Sequence, residues 1–150
     1  MKKLILLSIV FFSVIITCGC SSTKTLTCTN SETKEGMKMV QTITMQFNND
    51  KIKKIKMNIS TTAETDELKK SWQMLSNILD ASFKIENSKG ITISTKNDNK
   101  NYTYDISYDI DLTKANKEKL KELEIDDLLH SEESYEDTKK EAQQNGYTCK

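Results

Sequence analysis

Tyr102-Thr103-Tyr104-Asp105-Ile106-Ser107-Tyr108-Asp109-Ile110-Asp111-Leu112 alternates without a break. Tyr102, Tyr104, Ile106, Tyr108, Ile110 and Leu112 share one face. Thr103, Asp105, Ser107, Asp109 and Asp111 share the other. A period of two marks a strand. One apolar face against one polar face marks an antiparallel sheet with a single wet side. Upstream, Ile91 and Ile93 alternate with Thr92 and Ser94, and Asn97 to Asn101 supplies turn residues. The two runs read as a hairpin in which odd positions pair with even, so a two-residue loop is allowed.

Earlier in the chain, Leu26 to Asn30 reads as a first strand and Ser31 to Gly36 as a polar turn. Met37, Met39, Ile43, Met45 and Phe47 then share one face of a second strand. Ile55, Met57 and Ile59 share one face of a third, after the turn residues Asn48 to Lys51. Both apolar sets are odd-numbered, so odd must pair with odd. The connecting loop then has an odd number of residues, three fitting best, or the ladder bulges near Ile52, where the alternation slips.

Thr65-Asp66-Glu67 opens a helix with a capping hydroxyl and acids in the first turn. Leu68, Trp72, Leu75 and Leu79 form its apolar stripe, widened by Ile78 and Phe83. Asn116 to Leu129 reads as a short helix or irregular segment docked by its leucines. Ser131 or Ser134 caps a last helix that stops at Gly146, and Tyr147 to Lys150 returns as a short strand. The fold class is α+β: an antiparallel sheet of about five to six strands with one main amphipathic helix on its apolar face and a C-terminal helix.

The N-terminus carries an address. Lys2 and Lys3 precede thirteen uncharged residues, Leu4 to Ile16, and then Thr17-Cys18-Gly19-Cys20. This is the pattern of a secretory signal, and its apolar run is too short to span about 30 Å of hydrocarbon. A cysteine directly after glycine points to lipoprotein processing, with diacylglycerol on Cys20. Thr17 stands where such signals usually carry an aliphatic residue, and cleavage to an unanchored secreted chain is the alternative. The expected organisation is a signal over 1–19, a lipidated tether over 20–24 and one domain over 25–150. The chain is expected on the outer face of the cell membrane, with the membrane as partner through its lipid.

From Cys20 onward, twenty lysines face 22 acids, a net charge of −2. Residues 21–100 carry +4 and residues 101–150 carry −6. That balance excludes a basic nucleic-acid binder. Every basic residue is lysine, proline is absent, and Asn, Ile and Lys abound. Such usage fits an AT-rich bacterial genome. Without arginine the chain lacks the residue that normally grips phosphate and carboxylate bidentately.

Cys28 and Cys149 are the two cysteines left in the domain. Outside the membrane such a pair more often bonds than stays reduced; two thiols are the alternative. A bond requires the last strand to lie beside the first, with alpha carbons about 4.4–6.8 Å apart.

Few residues point to chemistry. Asp105, Asp109 and Asp111 share a strand face and supply hard oxygen ligands, but a flat strand converges poorly on an ion, so a solvated face is the preferred reading. His130, the single histidine, sits among acids and reads as exposed. No nucleophile elbow, phosphate loop or cofactor motif is present, and no enzymatic activity is expected. Met39, Met45 and Met57 with Trp72, Tyr104 and Tyr108 could line a groove for a small apolar ligand or lipid. An ordinary methionine-rich core is the simpler reading. Lys51, Lys53, Lys54 and Lys56 cluster at one hairpin end, either as a solvated edge or as a contact for anionic headgroups.

The segment ending Gly19-Cys20, the Leu26-Thr27-Cys28-Thr29 strand, the Tyr108-Asp109-Ile110-Asp111-Leu112 strand running into a Lys/Glu/Leu segment, and the ending Asn145-Gly146-Tyr147 together resemble the YehR-like family of small bacterial lipoproteins. The resemblance spans most of the chain. It implies a single α+β domain of unassigned function at the cell envelope and brings no catalytic residues. A non-enzymatic envelope lipoprotein acting through protein contacts is the expected function, and an apolar-ligand binder is the alternative.

Overall fold

Of the alternating run Tyr102 to Leu112, Thr103–Asp111 becomes a strand flanked on both sides by others, while Tyr102 (φ 52) falls in the preceding turn. A computed structural model of the chain describes residues 23–83, 86–122 and 134–150. Its strands are β1 (Thr23–Lys34), β2 (Met37–Asn48), β3 (Lys51–Ala63), β4 (Ile91–Asp98), β5 (Thr103–Asp111) and β6 (Thr148–Cys149). Its helices are α1 (Asp66–Lys70), α2 (Trp72–Ser82), α3 (Lys117–Glu122) and α4 (Tyr135–Gln144). The strands form one antiparallel sheet in the order β4-β5-β3-β2-β1-β6. The protein is therefore α+β, with a six-stranded antiparallel sheet and several helices. The expected lipidation residue Cys20 and the single histidine His130 lie outside the described residues, as do Leu123, Ile125, Leu128 and Leu129.

Register puts the apolar residues in rows across one face. Leu26, Met45, Ile55, Ile110 and Ile91 make one row; Cys28, Ile43, Met57, Tyr108 and Ile93 make the next. The β2–β3 hairpin shows how odd is made to pair with odd. Its turn is the two residues Asn49 and Asp50, both with positive φ, rather than a three-residue loop. The ladder instead bulges at Lys53: Gln46 pairs with Lys54 and Phe47 with Ile52. The extra residue lets Ile52 and Ile55 both reach the core face. In the β4–β5 hairpin, odd pairs with even as expected, but the loop is four residues, Asn99 to Tyr102. Asp98 organises it by accepting bonds from the Lys100 and Asn101 amides. Those bonds hold its carboxyl below the ordinary carboxylate pKa, with the Asn101 side-chain bond the largest cause.

Two segments differ from their sequence reading. Ser31 to Lys34 continue β1 rather than turning, and the turn is only Glu35-Gly36. The cause is pairing: polar side chains on a strand rim stay wet while their backbone groups bond the neighbour. Thr23 and Lys24, expected as tether, also belong to β1 and pair with Asn48 and Phe47. The helix after β3 is capped by Thr65, as its sequence predicts, with the Leu68 amide donating to the Thr65 hydroxyl. It is divided at Ser71 into α1 and α2. Trp72 and Ser76 face the sheet and are buried, whereas Ile78 is 55% exposed. Ile78 lies about 120° round the helix from Trp72, so it cannot share that contact.

The C-terminal turn sets the topology. Ser134 caps α4 by accepting from the Asp137 amide. At the far end Gly146 adopts φ +84, its amide donates to Gln143, and the Tyr147 amide donates to Ala142. These two bonds define a Schellman stop, which needs a left-handed residue. The chain is thereby aimed back at β1. The Thr27 and Lys150 backbones exchange two hydrogen bonds of 3.0 and 2.9 Å, leaving Cys28 and Cys149 as the adjacent non-hydrogen-bonded pair, where strands come closest. A disulfide joins them across 121 residues with alpha carbons 4.1 Å apart, just under the window expected for a bridge.

Candidate functional site

The six candidate groove residues all belong to the helix-bearing side of the sheet. Met39 and Met45 come from β2, Met57 from β3, Tyr104 and Tyr108 from β5, and Trp72 reaches down from α2. Met45, Trp72 and Tyr104 are buried core residues. Met57 and Tyr108 are half-buried and directly opposite each other in register. Met39, opposite Thr61 and 40% exposed, stands apart on the rim.

Several polar atoms pushed into this side find partners, as burial demands. Trp72 Nε1 donates to Asn97 Oδ1 at 3.2 Å, and the Tyr104 hydroxyl donates to Asp80 Oδ1 at 2.6 Å. Gln41 accepts from the Tyr147 hydroxyl at 2.7 Å and turns its amide to the Met57 sulfur at 3.2 Å. Burial raises the pKa of Tyr104, Tyr108 and Tyr147, and for Tyr104 the Asp80 carboxylate adds to the effect. Neutral phenols that donate hydrogen bonds position α2 and the chain end; they do not act as bases near neutral pH.

The opposite side of the sheet carries the three candidate aspartates. Register places a lysine across from each: Lys96 from Asp105, Lys56 from Asp109, and Lys54 from Asp111. Opposite charges at facing positions favour each other and compete with a cation for the carboxylates. Thr113 and Lys114 further hold the Asp111 carboxyl below its ordinary range, through the Thr113 hydroxyl first. Among the described residues no three His, Cys, Asp or Glu side chains converge as a metal site. Thr27 with Thr44, Thr29 with Thr42, and Ser107 with Asn58 tie neighbouring strands by side-chain bonds of 3.3, 3.3 and 2.7 Å. The outcome is a flat polar surface with an open hollow of about 480 Å³ near Asn58, Lys96 and Asp105.

Two further surfaces stand out, of which the sequence singled out only the lysines Lys51 to Lys56 of the second. The outer side of α2 exposes Met74 (62%) and Ile78 (55%) beside an open hollow of about 600 Å³. Only the division of the helix at Ser71 and the inward turn of Ser76 reveal that this side is outward. The second surface is the sheet end where β1 begins. Thr23 pairs with Asn48, so Lys24 meets the β2–β3 turn and bridges Asp50 at 3.3 Å. The Leu112 amide donates to Lys53 there, bringing Lys114 to the same end. The lysine run of β3 divides between this end and the polar sheet face, which only the bulge at Lys53 explains. Among the described residues, no helix is long and apolar enough to cross a membrane.

No family model matches the chain. No curated protein matches it. Among solved structures, the chain is similar to an NMR structure of a protein from Streptococcus pneumoniae TIGR4, with a TM-score of 0.58 and 18% identity over 100% of this chain and 97% of that one. At that identity the likeness concerns the fold.

Proposed function

We propose that the chain is a non-enzymatic envelope lipoprotein of the YehR-like kind, held on the outer face of the cell membrane by lipid on Cys20 and acting through protein contacts. The Cys28–Cys149 bridge carries this reading. Bacterial disulfides persist where the environment oxidises, outside the cytosol, and the Met1–Cys20 segment is a signal for that destination. In this reading α1 and α2 act as one amphipathic unit that clamps the apolar sheet face through Leu68, Trp72 and Leu79. The contacts then fall to exposed polar sheet and to the Met74 and Ile78 pair. Crosslinking in intact cells, followed by purification through the anchored chain, tests it. A specific crosslinked protein that survives high salt supports the contact role; capture identical to that of an unrelated lipoprotein refutes it.

A second reading is favoured by the half-buried Met57 and Tyr108, side by side on the helix-bearing face. Adaptable methionine beside an aromatic ring suits a small apolar ligand. Native mass spectrometry of protein purified from its host decides: a retained ligand mass supports this reading, and a clean apo mass counts against it.

A further inference from the structure

We propose that Asn145 is a deamidation site held shut by the Cys28–Cys149 bridge, so that reducing the bridge starts a reaction that keeps the chain end from returning to β1. Asn145-Gly146 is the one Asn-Gly step in the chain. The backbone nitrogen after an asparagine can attack that asparagine's own Cγ. Ammonia leaves and a five-membered succinimide ring closes. Water then opens the ring on either side, giving aspartate or isoaspartate, with no oxidant or metal involved. Glycine hinders the attack least, because it carries no side chain. Asn145 and Gly146 are both exposed, so water reaches the step.

The fold closes this route in two ways. The Gly146 amide, which must act as the nucleophile, donates to the Gln143 carbonyl at 3.1 Å, and the Tyr147 amide donates to Ala142 at 3.0 Å. Asn145, the C-cap of α4, holds ψ 15, which turns the Gly146 nitrogen away from the Asn145 side chain. Ring closure needs rotation about the Asn145 Cα–C bond. That rotation breaks both bonds and carries Tyr147 and β6 with it. Apart from the bridge, little resists. Thr148 and Cys149 are the whole of β6, held by pairing with Cys28 and Thr29, by the Thr27–Lys150 backbone pair and by the Tyr147 hydroxyl on Gln41. Cys149 follows closely after Gly146 and is bonded to Cys28, a core residue 1% exposed. The intact bridge therefore limits how far the stop opens. When a dithiol reduces it, itself becoming a disulfide, only those few contacts keep the stop closed, and deamidation follows the population of the open form. Isoaspartate routes the backbone through Cβ and lengthens the turn by a methylene. Either product adds a negative charge at the C-terminus of α4, where the helix dipole disfavours it. The chain end is then no longer aimed at β1, and Cys149 does not come back to Cys28.

The test is ageing of the full chain as purified from its host, read by peptide mass spectrometry. Bridged chain and chain kept reduced with dithiothreitol are incubated side by side at neutral pH. The peptide holding Asn145 gains one mass unit on deamidation. That gain should run at least about ten-fold faster in the reduced chain, while amide exchange in β5 stays slow. Once dithiothreitol is removed, the aged chain should fail to re-form the bridge. An equally aged Asn145→Gln chain, which cannot close the five-membered ring, should re-form it. If exchange in β5 shows that reduction unfolds the whole domain, Tyr147→Phe in the bridged chain takes over as the probe: losing the bond to Gln41 should quicken deamidation about three-fold. Equal rates in bridged and reduced chains overturn the inference, as does an unaccelerated Tyr147→Phe chain where that probe is needed. An aged chain that re-forms its bridge as fully as a fresh one overturns it too.

Discussion

Removing the Cys28–Cys149 bridge by the paired substitutions Cys28→Ala and Cys149→Ala should lower stability by about 3–5 kcal/mol. The bond spans 121 residues, nearly the whole domain. The loop-closure relation gives about 5 kcal/mol at 25 °C for such a loop, nearly all of it lost from the unfolded chain's restraint. Some of the native tie survives without the bond. The Thr27–Lys150 backbone pair, the Tyr147–Gln41 bond and the Schellman stop at Gly146 still direct the chain end to β1. Those contacts are few, because β6 has only two residues. The loss should therefore be both global and local. Urea melts followed by the single tryptophan, Trp72, read the global part, with a midpoint shift and a slope unchanged or slightly larger as the unfolded chain expands. Hydrogen exchange reads the local part: amides of β6, α4 and Thr27 should quicken first, while those of β3 and β5 follow the global value. A loss below about 1 kcal/mol, or equal quickening throughout the sheet, would refute the reasoning.

Three other perturbations follow from packing and ionisation. Trp72→Ala should cost about 3–5 kcal/mol in the same melts, because the ring is 2% exposed, meets Tyr102 edge-on at 6.5 Å and donates to Asn97; a loss under 1 kcal/mol would contradict its place in the core. Gly36→Ala should lower stability by about 1–3 kcal/mol, since the residue holds φ +78 and an added Cβ would sit 2.6 Å from the Thr65 methyl, displacing the cap of α1; an unchanged melt would contradict that strain. Tyr104, Tyr108 and Tyr147 have folded pKa values raised above 10.0, so each contributes stability that is complete below about pH 10 and is lost as pH rises through the folded value. Absorbance titration of the folded chain should show these phenols ionising later than in urea, and coincident titrations would contradict their burial.

Residues whose own side chain states its environment were legible in the sequence. The β5 alternation, the Thr65 and Ser134 caps, Gly146 as a stop and the slip at Ile52 all carried a local cause, and the structure shows each. The neighbourhood of the two chain ends also followed from Cys28 and Cys149. Features set by a partner strand were not legible. Ser31 to Lys34 look like a turn until Met37 to Val40 pair with them. Ile78 looks like part of the stripe until Ser76 takes the buried position. Lys51 and Lys53 cluster in the sequence, but Lys24 and Lys114 join them only through register, which brings all four to one end of the sheet. The aspartates of β5 read as a row of like charge until Lys54, Lys56 and Lys96 appear opposite them.

The anchor is the point on which the proposed function turns, and intact mass analysis of the N-terminal peptide from host membranes reads it directly. A mature chain beginning at Cys20, carrying a diacylglycerol mass and partitioning into detergent, is the expected result. An unmodified Cys20 on a chain recovered from the aqueous phase, or a chain retaining Met1 to Gly19 in the cytosol, would contradict the proposal.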